Sequence, residues 1–311
     1  MSIVYITGGA GFIGFHLQKH LEHKYHVSAV DLLANVNIAS NYRRKYLKNI
    51  VQGDIKNNFL DILPNKPKVL IHLAAETGIA GSLVNPSKYF ETNIQATFNV
   101  LEQCKHNGVK YLIYASSSSV YSPNQEIMSE DSNTSQQLSF YGTSKKMSEV
   151  MIENYCAQFG ITAIGLRFFT VYGSWTRPDM AAYKFMSNIE KEQPITVYNQ
   201  GNVFRDFTHV SDVIKSIELL IEKIQNEPIG THQMFNIGLG APISVLQYAN
   251  LIADCMKKEL VINFATLPVN ELVSTYSNSH KLEQYIQFKP TCKVEDGVNE
   301  MVDWFKKYKY E

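Results

Sequence analysis

Along the N-terminal half of the chain, short apolar runs of strand length alternate with stretches whose apolar residues recur at helical spacing. Ser2-Ile3-Val4-Tyr5-Ile6-Thr7 is a β-prone run, and Ile13, Leu17 and Leu21 follow it at helical intervals. His26-Val27-Ser28-Ala29-Val30-Asp31 predicts a second strand, and Ile50-Val51-Gln52-Gly53-Asp54-Ile55 a short third one. Val69-Leu70-Ile71-His72-Leu73-Ala74-Ala75 is almost wholly apolar, as expected of a strand covered on both faces of a parallel sheet. His72 within it reads as a core histidine satisfied by its neighbours. A helical stretch is predicted from Pro86 to Asn107, with Ile94, Phe98 and Leu101 on its apolar side. Lys110-Tyr111-Leu112-Ile113-Tyr114-Ala115 is another buried-type strand, and it runs into Ser116-Ser117-Ser118-Ser119-Val120-Tyr121. Strands alternating with helices imply an α/β fold built on a doubly wound parallel sheet, with ligands at the carboxyl ends of the strands.

The C-terminal part has a different texture. Met180 to Lys191 predicts an amphipathic helix, and Pro194-Ile195-Thr196-Val197-Tyr198 a short strand. Ser211 to Ile224 predicts a helix with a good N-cap. Val294 to Tyr308 predicts a closing helix with Val298, Met301, Val302 and Phe305 inward. No repeat or low-complexity linker interrupts the 311 residues.

Composition narrows the class without naming a function. Hydrophobic content is 45% and charged content 19%, the profile of a soluble globular chain. Lys plus Arg and Asp plus Glu number 29 each, so no global field favours nucleic acid or an anionic membrane. The densest basic run, Arg43-Arg44-Lys45, reads as a solvated helix face. Cys104, Cys156, Cys255 and Cys292 have no metal-ligand or disulfide-framework spacing, so no metal site is expected. No apolar run approaches the ~20 residues of a membrane span, and no basic leader precedes Ile3. These absences point to a reduced, cytoplasmic protein.

Chemistry enters at the turns between these elements. Gly8-Gly9-Ala10-Gly11-Phe12-Ile13-Gly14 joins the first strand to the first helix, and Asp31 ends the second strand. Glycines let the backbone approach a pyrophosphate seated on the positive end of the helix. An acid about twenty residues later can hydrogen-bond the adenosine ribose and repel a 2′-phosphate, which favours NAD over NADP. Asp54 could face the adenine. Tyr141 and Lys145 are four apart and would share one helix face. A phenol ionises near ~10, and a fixed ammonium beside it lowers that value toward what a general base needs. Such a pair is often a solvated helix face; the serine run at a strand end, which can set a hydroxyl against the phenol, raises its interest.

Taken together, these motifs resemble the extended short-chain dehydrogenase/reductase family, the nucleotide-sugar epimerases and dehydratases. The matching residues are the Gly8–Gly14 turn, Asp31, Gly53-Asp54-Ile55, His72-Leu73-Ala74-Ala75, Ser117, and Tyr141 with Lys145. The likeness continues in Leu166–Gly173 and Val203–Asp212, and Met234–Gly238 resembles the family's returning strand. It implies a Rossmann-type domain over 1–170 and 204–236, and a smaller α/β substrate domain over 171–203 and 237–311. It also implies NAD contacts from Gly8, Gly11, Phe12, Ile13, Gly14, Asp31, Asp54, Ile55, Leu73, Ala74, Ala75, Asn93, Tyr141 and Lys145. Tyr141 would take a proton from a sugar hydroxyl, Lys145 would hold the ribose and keep Tyr141 ionised, and Ser117 would bond the reacting hydroxyl. A homodimer through the helices after Pro86 and after Tyr141 is a further family expectation.

Subfamily features point toward a UDP-sugar epimerase. Sugar dehydratases and decarboxylases carry carboxylates just after the serine matching Ser117, whereas Ser118 and Ser119 stand here. Arg167–Met180 looks most like UDP-glucuronate 4-epimerases, with Thr170 where many other epimerases carry Asn. In that reading Ser118, Thr170 and Arg177 hold the sugar carboxylate, Val197 lies at the nucleotide base, and Arg205 pairs with the UDP pyrophosphate. The plain alternatives are a surface arginine before a proline turn for Arg177, and an arginine bonded to Asp206 for Arg205. Ala80 departs from the family, which usually carries arginine there, and Glu76 is an unusual acid near a pocket for an anionic sugar. The region from Leu267 to Tyr276 departs too, so no residue is carried over within it. The alternatives are a neutral UDP-hexose 4-epimerase, a nucleotide-sugar dehydratase, and a non-catalytic NAD-binding sensor. Joint retention of Ser117, Tyr141 and Lys145 argues against the sensor.

Overall fold

The apolar runs become strands in the order the sequence predicts. A computed structural model describes residues 2–33, 38–63 and 65–310. The strands in chain order are β1 (Ile3–Thr7), β2 (His26–Asp31), β3 (Ile50–Gln52), β4 (Val69–His72), β5 (Tyr111–Ser117) and β6 (Thr162–Phe168). They continue with β7 (Thr170–Tyr172), β8 (Ile195–Tyr198), β9 (Phe204–Arg205), β10 (Phe207–His209), β11 (His232–Ile237), β12 (Ile243–Ser244) and β13 (Ile262–Ala265). Seven form one sheet in the order β11-β6-β5-β4-β1-β2-β3. All neighbours in that sheet run parallel.

Side-chain alternation explains the two covered faces. Val4 and Ile6 of β1 pack with Leu17 and Leu21, whereas Tyr5 points to the other face with Val100 and Leu101. The chain steps outward from β1 to β3, then returns to place β4 on the other side of β1. That reversal opens a crevice between the carboxyl ends of β1 and β4, where such sheets bind ligands.

Three pairs of short strands lie outside this sheet: β7 with β10, β8 with β13, and β9 with β12. A separate core forms around helices Ala181–Glu190, Val245–Met256 and Val294–Tyr308. Phe207 stacks on Tyr248 there with ring centroids 3.9 Å apart. Val298, Met301, Val302 and Phe305 face this core as the helical pattern predicts.

Four local expectations are corrected. The stretch after Pro86 is not one uniform α-helix: Pro86–Tyr89 and Ala96–Asn107 flank a π-helical segment, Phe90–Gln95. Ile94 and Leu101 are buried, but Phe98 is exposed at 48% because it lies off the packed face. The helix Val210–Lys223 starts before Ser211, whose hydroxyl bonds His209 Nδ1 at 2.7 Å and caps no backbone N–H there. Arg43 is fully buried, so the basic run is not simply a solvated face. Its guanidinium donates to the carbonyls of Ala10 at 2.7 Å and Trp175 at 3.0 Å, tying the glycine turn to the segment before Arg177.

Candidate active site

The glycine turn has the geometry its sequence predicts. Gly8 has φ +75°, and a Cβ there would meet Ala74 N at 2.7 Å. A Cβ on Gly14 would meet Gly8 O at 2.3 Å, so turn and helix pack backbone to backbone. Gly11 precedes the helix Phe12–Leu21 with no side-chain cap, leaving its positive end uncovered by side chains. Asp31 Oδ2 accepts from Ala10 N at 2.9 Å, which ties the end of β2 to the turn. Burial raises the Asp31 pKa, opposed by the backbone N–H groups of Ala10, Leu32 and Leu33. A tight cradle, an uncapped helix end and an acid at β2 fit an NAD dinucleotide. Ile55 is buried nearby in sequence, while Asp54 accepts from Lys56 N at 2.9 Å.

Across the crevice, β4 feeds Leu73, Ala74 and Ala75 into the loop opposite Gly8. His72 is a satisfied core residue: Nδ1 meets Thr7 Oγ1 at 2.7 Å and Nε2 meets Thr97 Oγ1 at 3.1 Å. Burial lowers its pKa to about 3. Asn93, in the π-helical segment, fastens three elements together. Its amide accepts from Glu76 N at 2.8 Å, and donates to Glu76 O at 2.9 Å and Ser144 Oγ at 2.9 Å. Asn93 thus joins the β4 loop to the helix carrying Tyr141.

That helix spans Phe140–Phe159, capped by Ser139, whose Oγ accepts from Gly142 N at 3.1 Å. Tyr141 and Lys145 lie a turn apart beside the end of β5. Burial raises the phenol's pKa; Ser117 and the positive charge of Arg177 oppose the rise. Lys145 Nζ donates to Ala115 O at 3.0 Å, and burial lowers its pKa to about 8. Ser117 Oγ also accepts from Ser119 N at 3.1 Å, which makes Ser118–Val120 a short 3-10 turn and places Ser118 beside the site.

Arg177 is half-buried and held by its neighbours. Its Nε donates to Asp179 Oδ1 at 2.9 Å, Nη2 to Asp179 Oδ2 at 2.5 Å, and Nη1 to Thr77 Oγ1. Tyr89 OH donates to the carbonyls of Thr77 and Gly78, each at 2.8 Å, and its ring meets Tyr141 edge to face at 6.2 Å. Thr170 N donates to Asp206 O at 3.0 Å, placing Thr170 at the start of β7. Glu76 pairs with Lys88 at 2.9 Å, which compensates the unusual acid.

Arg205 finds a partner the sequence reading leaves out. Its Nη2 pairs with Glu271 at 3.1 Å, from the segment that departs from the family pattern. Asp206 is instead taken by Ser277, Leu239 and Gly240, so the Asp206 alternative does not hold. Val197 is wholly buried in the C-terminal core, which leaves its backbone to meet any base. Among the described residues no cluster of His, Cys, Asp or Glu could hold a metal. No helix among them is long and apolar enough to cross a membrane.

A doubly wound sheet with a glycine cradle, an acid at β2 and a Ser-Tyr-Lys set defines an NAD-dependent Rossmann-fold protein. The chain belongs to the NAD dependent epimerase/dehydratase family, whose profile matches residues 4–238. It is 35% identical to protein CapI of Staphylococcus aureus, covering 98% of both chains. A probable UDP-glucuronate 4-epimerase of Rhizobium meliloti is 31% identical, over 96% of both. The UDP-glucuronic acid 4-epimerase of Bacillus cereus, solved with UDP-glucuronic acid and NAD, is 31% identical. It superposes with a TM-score of 0.90 over 98% of this chain and 99% of that one.

Proposed function

We propose that this chain is an NAD-dependent 4-epimerase of a UDP-sugar, converting UDP-glucuronate to UDP-galacturonate. The observation that supports the reading is that Ser117, at the end of β5, and the charge of Arg177 both act on the Tyr141 phenol, with Lys145 a turn away on the same helix. Bound NAD supplies the acceptor and donor of hydride. Tyr141 takes the proton from the sugar 4-hydroxyl as it is oxidised and returns it to the 4-keto oxygen when the rotated sugar is reduced on its other face. Ser117 holds the reacting oxygen through its hydroxyl, and Lys145 the cofactor ribose. Gly8, Gly11, Phe12, Ile13 and Gly14 cradle the pyrophosphate; Asp31 holds the adenosine ribose. Asp54, Ile55, Leu73, Ala74, Ala75 and Asn93 line the remainder of the cofactor cleft.

A 4-keto uronate is a β-keto acid that loses CO2 readily, so its carboxylate must be held still. Ser118, Thr170 and Arg177 serve that end, while Arg205 exchanges Glu271 for the UDP pyrophosphate. Residues 171–203 and 237–311 form the domain that covers the sugar and nucleotide, with Val197 at the base. No carboxylate stands at Ser118 or Ser119 to draw water from the sugar, which disfavours dehydration. A neutral UDP-hexose is the second reading, favoured by one observation: Asp179 already occupies the carboxylate-binding edge of Arg177.

The protein works as a homodimer. Phe98 on helix Ala96–Asn107 and Met147 and Val150 on the catalytic helix are exposed at 48%, 42% and 55%, and these helices pack side by side. An apolar face of this kind is characteristic of an interface.

Tyr141→Phe tests the reaction. Turnover should fall by about 10²-fold or more with NAD binding retained, because general acid–base contributions are of that size. An active Tyr141→Phe protein would remove Tyr141 from the proton path.

A further inference from the structure

Behind Tyr141 and Lys145 lies a buried ion pair to which the reaction so far gives no role. Glu149 sits one helical turn beyond Lys145 and is 3% exposed. Its carboxylate accepts from Arg167 Nε and Nη2, each at 2.9 Å, and from Ser116 Oγ at 2.6 Å. Ser116 lies between Ala115, whose carbonyl accepts from Lys145 Nζ at 3.0 Å, and Ser117. Consecutive residues at the end of β5 are therefore tied to consecutive turns of the catalytic helix. Arg167 faces Ser116 across the β5–β6 register and is held by Tyr121 OH at 3.2 Å and Glu130 O at 3.1 Å.

We propose that Glu149 is a positioning residue for the reaction: its carboxylate keeps Lys145 charged, and its bond to Ser116 fixes the strand end that presents Ser117. The proposal rests on the reading of Ser117, Tyr141 and Lys145 as the reacting set. The groups that bear on the Lys145 ammonium are the Ala115 carbonyl of β5, which accepts from it at 3.0 Å, Glu149 one turn further along its helix, and His72 of β4. His72 stays neutral, since burial holds it near 3. Burial pushes Lys145 down to about 8, and the charge of Glu149 opposes that fall. Arg167 and Lys146, the latter 3.3 Å from Glu149, cancel part of its field. Glu149 thus acts on Lys145 in the direction of the charged form, against the burial that favours the neutral amine.

The alkaline limb of the kcat profile for epimerisation reads this directly. Glu149→Gln is expected to move the limb to lower pH by about one unit, and Glu149→Asp, which keeps the charge, to leave it in place. Because a lone buried Arg167 threatens folding, the double variant Glu149→Gln with Arg167→Gln replaces the ion pair by an amide pair. It is expected to shift the limb in the same direction by less. Folding and NAD binding are followed in parallel for each. A limb that stays put in the folded Gln variants overturns the proposal, even if kcat drops at every pH. Turnover retained in Tyr141→Phe would instead overturn the reading beneath it.

Discussion

At the scale of single residues, the proposed choice of substrate rests on Arg177. Its guanidinium already makes two bonds to Asp179 and one to Thr77, so a sugar carboxylate must replace Asp179 or share the cation with it. Hydrogen bonds to charged groups contribute about 1.5–3 kcal/mol each, roughly 10- to 10²-fold in rate or affinity. Arg177→Ala should therefore lower kcat/KM for UDP-glucuronate by about 10²-fold and that for UDP-glucose by under about 10-fold. Equal losses on the two sugars would show that Arg177 does not read the carboxylate. Some of this site was legible in sequence and some was not. Ser117, Tyr141 and Lys145 could be found because their chemistry depends on a strand end and one helical turn, both local patterns. Arg43 could not: a basic triplet looks solvated until the fold brings Ala10 and Trp175 to it. Glu271 was hidden for the same reason, lying 66 positions from Arg205 in a segment without a recognisable pattern.

At the scale of elements, periodicity located the strands and helices well but missed irregularities set by tertiary contacts. The π-helical segment Phe90–Gln95 has no signature in spacing; it places Asn93 to bond both Glu76 and Ser144. Phe98 was expected inward from its helical interval, yet it lies on the outer face with Val150. Those exposed apolar residues define the expectation for assembly. The protein should sediment at twice the chain mass, and Phe98→Glu with Val150→Glu should sediment as a single chain with its fold intact. A parent protein that sediments as a single chain would contradict the paired-helix interface.

At the scale of the whole molecule, the order β11-β6-β5-β4-β1-β2-β3 sets the reacting groups where they can meet. The reversal beside β1 opens the cofactor crevice, β5 delivers Ser117, and the segment after β7 brings Arg177 over Tyr141. Sequence patterning implied this sheet because parallel strands buried on both faces must be almost wholly apolar. It could not show how the later strands pair, since β7, β9, β10 and β12 are only two or three residues long. The central claim is epimerisation by transient oxidation, and one incubation tests it most directly. The protein with NAD and UDP-glucuronate, followed by NMR of the sugar and by absorbance of reduced nicotinamide, should form UDP-galacturonate with no net NADH. Loss of CO2 to a pentose, release of a dehydrated sugar, or no change in UDP-glucuronate would contradict it.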